Sequence, residues 1–252
     1  MIEVKNVDKS FDGNKVLKNV SAVFETGKTN MIIGQSGSGK TVLMKSIIGL
    51  HRIDKGRIEY DGRNLPDMKM KEIRILRREV GMLFQGSALF DSMSVLENVM
   101  YPLEMFSLDS PEEMKERAYF CLKHVNLEEK SFILPPSEIS GGMQKRVAIA
   151  RAIALQPKYL FCDEPNSGLD PKTSLIIDKL ISDITHEFNI TTIINSHDMN
   201  SVMEIGENII FIENGVKAWE GNKDDIFHVD NELLNNFVFA SELYKKVKKA
   251  NQ

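Results

Sequence analysis

Residues 34–41 read Gly34-Gln35-Ser36-Gly37-Ser38-Gly39-Lys40-Thr41 and fit the pattern GxxxxGK[ST]. In that pattern glycines let successive backbone N–H groups face one concavity and nest an anion. Lys40 would then reach the β- and γ-phosphates of a nucleoside triphosphate, and the Thr41 hydroxyl would hold Mg²⁺, with Val42 as its neighbour on the threonine side. Transfer of a phosphoryl group to water also needs a carboxylate to order the metal and a group to orient the water. Asp163 and Glu164 follow the apolar run Tyr159–Cys162; Asp163 suits the metal and Glu164 the water, as general base or polariser. Ser140-Gly141-Gly142-Met143 reads as a serine-capped helix start with two glycine amides, which is either a plain cap or a second anion site. Taken alone, Phe11 fits a core position or a base-stacking one, and His197 fits a satisfied structural residue or a ligand contact.

The elements that must position these groups are legible around them. Residues 29–33 form a short apolar run before the glycine-rich loop, and Leu43, Ile47 and Leu50 follow at helical spacing, so the loop lies between strand and helix. The first 35 residues are β-rich, with a hairpin signal at Asp12-Gly13 and another at Asp61-Gly62 after Ile58–Tyr60; Val80–Phe84 reads as a buried strand leading to Gln85. Residues 87–139 are helical in character: Ser94 precedes Glu97 and Ser110-Pro111 precedes Glu113, two capping boxes that predict an inserted helical lobe. Helix (Met143–Leu155), strand (Tyr159–Cys162), helix (Lys172–Phe188), strand (Ile190–Asn195) and helix (Asp198–Ile205) then alternate, which predicts an α/β fold with a largely parallel sheet and helices on both faces. Asn214-Gly215 predicts a last hairpin, and 221–252 a helical tail ending in Lys245, Lys246, Lys248 and Lys249.

The chain has 252 residues, 42% of them apolar, and its 32 basic and 36 acidic residues leave a net charge of −4. That balance excludes a collagen-like or disordered chain, and the scattered basic residues argue against nucleic acid as the main partner. Every apolar run is far shorter than the roughly 20 residues that span a bilayer, and Met1–Asn6 carries no leader signal. A cytosolic location is the default expectation. The two cysteines, Cys121 and Cys162, predict core packing rather than metal binding. Trp219 suits hairpin packing, the methionines at 68–70 and 199–203 suit helix faces or core, and the terminal lysines suit a solvated helix face.

Six motifs in order carry a resemblance: GQSGSGKT at 34–41, Gln85 after VGMLF, ISGGM at 139–143, YLFCDE at 159–164, SGLD at 167–170 and His197 in NSHD. Together they resemble the ATP-binding subunits of ABC transporters over nearly the whole length. The resemblance implies a P-loop nucleoside triphosphatase core with a mainly parallel sheet, an N-terminal antiparallel β subdomain and a helical subdomain inserted at about 87–139. Residues 1–220 would form the cassette and 221–252 a C-terminal extension, which would clasp a second subunit. ATP and Mg²⁺ are the implied cofactors. Phe11 would stack on adenine, Gln85 would touch Mg²⁺ and water, and His197 would contact the γ-phosphate. Ser140, Gly141, Gly142 and Met143, with Asp170 in the loop that crosses the interface, would complete the site of an opposite copy. A homodimer beneath an integral membrane permease, at the cytoplasmic face of the cell membrane, follows from the same resemblance.

One departure points further. The family motif usually ends in glutamine; here Met143 takes that place, Gln144 follows, and Lys145-Arg146 come next. With the stretch 84–99, this resembles the branch that works with MCE-domain lipid-binding proteins and implies phospholipid transport. The alternatives are the ATPase of a polar-solute importer, for an amino acid or peptide, and a non-transport regulator of cell-division or lipoprotein-release machinery.

Overall fold

The computed structural model describes residues 1–239. β1 (Ile2–Phe11) and β2 (Asn14–Phe24) pair antiparallel across Asp12-Gly13, whose φ values of 48° and 81° suit a tight hairpin turn. β3 (Thr29–Ile33) is buried along its length and feeds the loop 34–39 and α1 (Lys40–Ile48). β4 (Lys55–Tyr60) and β5 (Arg63–Asn64) turn on Asp61-Gly62 in the same way as the first hairpin. Next come α2 (Met70–Arg78), β6 (Val80–Leu83), α3 (Val95–Phe106) and α4 (Pro111–His124). α5 (Gly141–Ile153), β7 (Tyr159–Asp163), α6 (Pro171–Glu187), β8 (Thr191–Asn195) and α7 (Met199–Ile205) alternate as expected. β9 (Asn208–Glu213) and β10 (Val216–Gly221) form the hairpin on Asn214-Gly215, and α8 (Glu232–Val238) follows.

Two sheets result. The N-terminal one is antiparallel in the order β2-β1-β4-β5; the other runs β10-β9-β3-β8-β7-β6, with every pair parallel except β9 with β10. Side chains alternate faces along a strand, and the two cores divide accordingly. Ile32, Phe161, Ile193 and Ile210 face Ile2, Val4, Leu17 and Phe24 of the antiparallel sheet, with Leu43 and Ile47 of α1 between them. Met31, Leu160, Cys162, Ile194 and Phe211 face the helical side. α3 and α4 begin at the two expected capping boxes: Ser94 Oγ accepts from the Glu97 N–H at 3.2 Å, and Ser110 Oγ from the Glu113 N–H at 3.3 Å. Both helices pack against α5 to form the helical lobe.

Cys121 and Cys162 are free and buried, and burial pushes the Cys121 thiol up to about 11. The helix α2 is an addition to the expected elements; it carries four basic side chains and buries only Leu76. Ile226, Leu234 and Val238 belong to the helical-side core, and the Phe237 ring stacks on Phe211 at 5.3 Å. The terminal lysines lie outside the described residues. No helix among the described residues is long and apolar enough to cross a membrane.

Candidate active site

The phosphate loop is bent by its glycines. Gly34, Gly37 and Gly39 hold φ values of 151°, 80° and 110°, and a Cβ on Gly34 would lie 2.2 Å from the carbonyl of Ile212, so no other residue fits there. The last hairpin backs the loop from outside. The Gly215 N–H donates to Ser38 O at 2.9 Å while the Gly215 carbonyl accepts from the Lys18 N–H at 2.8 Å. Lys40 leans back over the loop and donates to the carbonyls of Gly34 at 2.8 Å and Gln35 at 2.9 Å. Burial lowers its pKa, while Glu164 and Asp163 pull the other way. Ser38 Oγ is buried without a hydrogen-bond partner; an orphaned hydroxyl inside such a loop is what a phosphate oxygen would satisfy. Gln35, Ser36 and Thr41 are exposed, and Val42 is half-buried against the sheet-side core.

Across the sheet, Asn195 donates its side-chain amide to Asp163 Oδ1 at 2.6 Å and to Thr41 Oγ1 at 3.3 Å. Two of the three expected metal-site residues, Thr41 and Asp163, are therefore joined through Asn195, while Gln85 bonds Ser167 instead. One hydroxyl and one carboxylate suit Mg²⁺, which keeps several waters and takes its remaining oxygens from a nucleotide. Among the described residues no group of three or more His, Cys, Asp or Glu side chains could hold a metal alone. Glu164 sits at a positive φ of 48°, a conformation that costs about 1–3 kcal/mol in a non-glycine residue. It is held there by its N–H, which donates to Asn195 O at 2.9 Å, and its carboxylate pairs with His197 Nδ1 at 2.9 Å. His197 itself is 67% exposed at the side chain. A hollow of about 520 Å³ opens beside this pair, lined by Glu164, Ser167, His197, Phe237 and Val238 among others.

Gln85 follows β6 and donates from Nε2 to Ser167 Oγ at 3.1 Å. Its backbone is braced from α5: the Lys145 ammonium donates to the Gln85 carbonyl, and Arg151 donates to the carbonyls of Ser87 and Ala88 at 2.8 Å each. Burial lowers the Lys145 pKa.

The second glycine pair lies apart from these groups. Ser140 caps α5, with its Oγ accepting from the Met143 N–H at 3.3 Å. Asp170 caps α6, accepting from the Thr173 N–H at 3.1 Å, and the Thr173 hydroxyl holds its carboxyl below the usual range. Between the two caps lies an open hollow of about 350 Å³ lined by Ser140, Gly141, Gly142, Asp170 and Thr173 among others. No hydrogen bond or ion pair joins residues 140–143 to the phosphate loop among the described residues. Phe11 also stands apart. It is 38% exposed, which removes the core reading, and meets the His51 ring edge-on at 5.2 Å.

Residues 17–167, more than half of the chain, match the family described as ABC transporter. The methionine import ATP-binding protein MetN of Clostridium tetani is 39% identical over 243 residues, covering 96% of this chain and 76% of that protein. A dimeric post-hydrolysis structure of the ATP-binding cassette MJ0796 with ADP and Pi superposes with a TM-score of 0.79 at 35% identity, over 88% of this chain and 99% of that one. cbiO1 from Clostridium perfringens, part of the ABC transporter complex cbiONQ, gives a TM-score of 0.84 at 29% identity, over 99% and 97%.

These likenesses overturn phospholipid transport with an MCE-domain partner. Relatives at 38–40% identity carry the methionine import description instead. The residues behind the lipid expectation have a structural reason to be as they are. Lys145 and Arg151 brace segment 85–88, and buried Asn98 holds both backbone polar groups of Phe90 at 2.8 and 3.0 Å. Met143 is half-buried in the first turn of α5. Lys145, Arg151 and Asn98 thus serve this chain's own backbone. The strand order, the phosphate loop and the acidic strand end, taken with these likenesses, make the chain a member of the ABC transporter family, an ATP-binding subunit that hydrolyses ATP with Mg²⁺.

Proposed function

We propose that the chain drives an importer for an amino acid, of the methionine class, as one of two copies beneath a membrane permease at the cytoplasmic face of the cell membrane. The observation that carries this reading is the likeness, over 96% of the chain, to methionine import ATP-binding proteins. Residues 1–220 would act as the cassette and the segment from 221 as its extension.

Bound Mg·ATP supplies the phosphoanhydride to be cleaved and the divalent charge that offsets charge on the transferring group. The chain's own residues position and neutralise. The amides of 34–39 and the N-terminus of α1 cradle phosphate oxygens, and Lys40 turns from the loop carbonyls to the terminal phosphates. Thr41 and Asp163 would hold the metal. Glu164 would accept a hydrogen bond from the attacking water, and His197 holds that carboxylate through its Nδ1. Gln85, at the hinge of the helical lobe and braced by Lys145, passes movement of the permease to the metal site. Phe11 offers an exposed ring to the adenine. Ser140, Gly141, Gly142 and Met143, with Asp170, face a nucleotide on the partner copy, so closure of the dimer completes each site.

ATP-driven uptake of labelled L-methionine by the chain with its copurified permease in proteoliposomes tests the cargo. Glu164→Gln should keep ATP binding, lose uptake and form an ATP-dependent dimer on sizing. Persistent ATPase activity with no uptake of methionine or any other amino acid would overturn the importer reading.

A further inference from the structure

β8 lies between the strand that feeds the phosphate loop and the strand that ends in Asp163, with Asn195 in register with Ile32 on one side and Asp163 on the other. Neighbouring strands are about 4.8 Å apart, so the ends of β3 and β7 are separated by about 10 Å. Whatever residue ends β8 therefore lies under the space that a metal between Thr41 and Asp163 must occupy. After Ile193-Ile194 an apolar residue would continue the buried strand; the chain has an asparagine there, fully buried.

All but one of its polar groups are accounted for. Its backbone carbonyl holds the Glu164 N–H at 2.9 Å, and its amide nitrogen donates to Asp163 Oδ1 at 2.6 Å and Thr41 Oγ1 at 3.3 Å. The ionised carboxylate only accepts, which fixes the amide's orientation with nitrogen toward Asp163. That leaves Asn195 Oδ1 buried and without a donor, an uncommon condition for a buried carbonyl. Mg²⁺ retains several of its waters when bound by few protein oxygens, and each is a strong donor.

We propose that Asn195 is a positioning residue of the metal site: its amide N–H groups aim Thr41 and Asp163, and its Oδ1 accepts a hydrogen bond from a water bound to the metal. The proposal rests on the reading of Thr41 and Asp163 as metal ligands. Outer groups that orient metal ligands commonly change metal affinity about 10- to 100-fold when removed.

The test uses the full chain and a fluorescent ADP analogue, titrated with and without Mg²⁺, and again with Mn²⁺. Asn195→Val keeps the strand and removes both functions. It should bind the metal-free analogue within about twofold of wild type, because the phosphate loop is untouched, and should need about 10-fold more Mg²⁺ for half-maximal effect. Asn195→Ser, which restores a short polar group, should recover part of that shift, and it carries the test if the valine variant does not fold. Equal weakening with and without metal would mean that Asn195 only supports the fold, and would overturn the proposal. Thr41→Ala and Asp163→Asn run in parallel separate the two readings. If these raise the Mg²⁺ requirement and Asn195→Val does not, the inference about Asn195 fails alone. If none of the three does, the metal-site reading fails with it.

Discussion

The chain bears two glycine-rich turns before helices, and they are built on different principles. At 34–39 Gly34, Gly37 and Gly39 all have positive φ, and Gly34 presses against backbone, with Ile212 O 2.2 Å from where its Cβ would stand. The loop is also tied into its own chain through Ser38, Lys40 and Gly215. At 141–142 neither glycine has a positive φ, and a Cβ on Gly141 would find nothing closer than Leu169 at 3.9 Å. Gly142 is tighter, with Thr173 Cγ2 at 2.7 Å, but the neighbour is a side-chain methyl. The first turn uses glycine because the fold demands it. At Gly141 the fold makes no such demand, and a requirement for glycine there would have to come from outside the chain.

Substitutions can break or sharpen that contrast. The largest effect is expected at Gly34→Ala: a backbone clash at a φ of 151° should cost about 3 kcal/mol or more in stability and abolish nucleotide binding, both read by thermal melts with and without ATP. A variant that folds and binds normally would end the claim that the loop is sterically dictated. Gly141→Ala comes next and has the opposite signature. Alanine suits a helix better than glycine by about 0.5–1 kcal/mol, so melting should hold or rise and monomer ATP affinity should stay within about twofold, while ATPase activity falls at least tenfold if the amide faces a partner's phosphate. Unchanged turnover would reduce 140–143 to a plain cap.

The smallest effect concerns the loop between β7 and α6, which ends at Asp170 beside the second glycine pair. Asn166, between Glu164 and Asp170, donates to Asp178 Oδ1 on α6 at 2.8 Å, and burial raises the Asp178 pKa to about 6 from 3.8. A folded carboxyl that holds its proton more tightly than the unfolded one costs stability only where the unfolded group is ionised. The cost is therefore absent below about pH 4, grows between about 4 and 6, and is full above that. Asp178→Asn, whose amide oxygen can still accept from Asn166, should stabilise the protein at pH 7 by on the order of 1–2 kcal/mol, with the gain vanishing toward pH 4. A pH-independent difference in melting would show that the carboxylate's charge is not the cause.

Much of this was legible in the residues. The strand–loop–helix at 29–48, the acidic strand end at 163–164, the two capping boxes and the three Asx-Gly hairpins are local patterns, each determined by a few neighbouring residues. What escaped depends on relations across the fold. Asn195 matters because β8 lies laterally between β3 and β7, and strand order is not written along the chain. Lys145 read as half of a basic pair, yet its ammonium serves a carbonyl 60 residues earlier. α2 is short and mostly exposed, with Leu76 its single buried residue, so few contacts mark its place in the fold. The cargo escaped for a different reason: of residues 84–99 and 143–146, which suggested lipid, Asn98 and Lys145 serve backbone groups of this chain and Ser94 caps α3, and the relatives at 38–40% identity carry the methionine import description.

The bond from the Gly215 N–H to Ser38 O places a turn made late in the chain against a loop made early. During synthesis at about 5–20 residues per second, roughly 10–40 s separate the emergence of the two. Over that interval the phosphate loop exists as sequence but lacks its outer wall, and β3 lacks its neighbours β8 and β9. Nucleotide capture is thus tied to translation beyond Gly215, so a chain terminated before it, though holding every residue of 34–41 and 163–164, would compete poorly for ATP with chains that include the last hairpin.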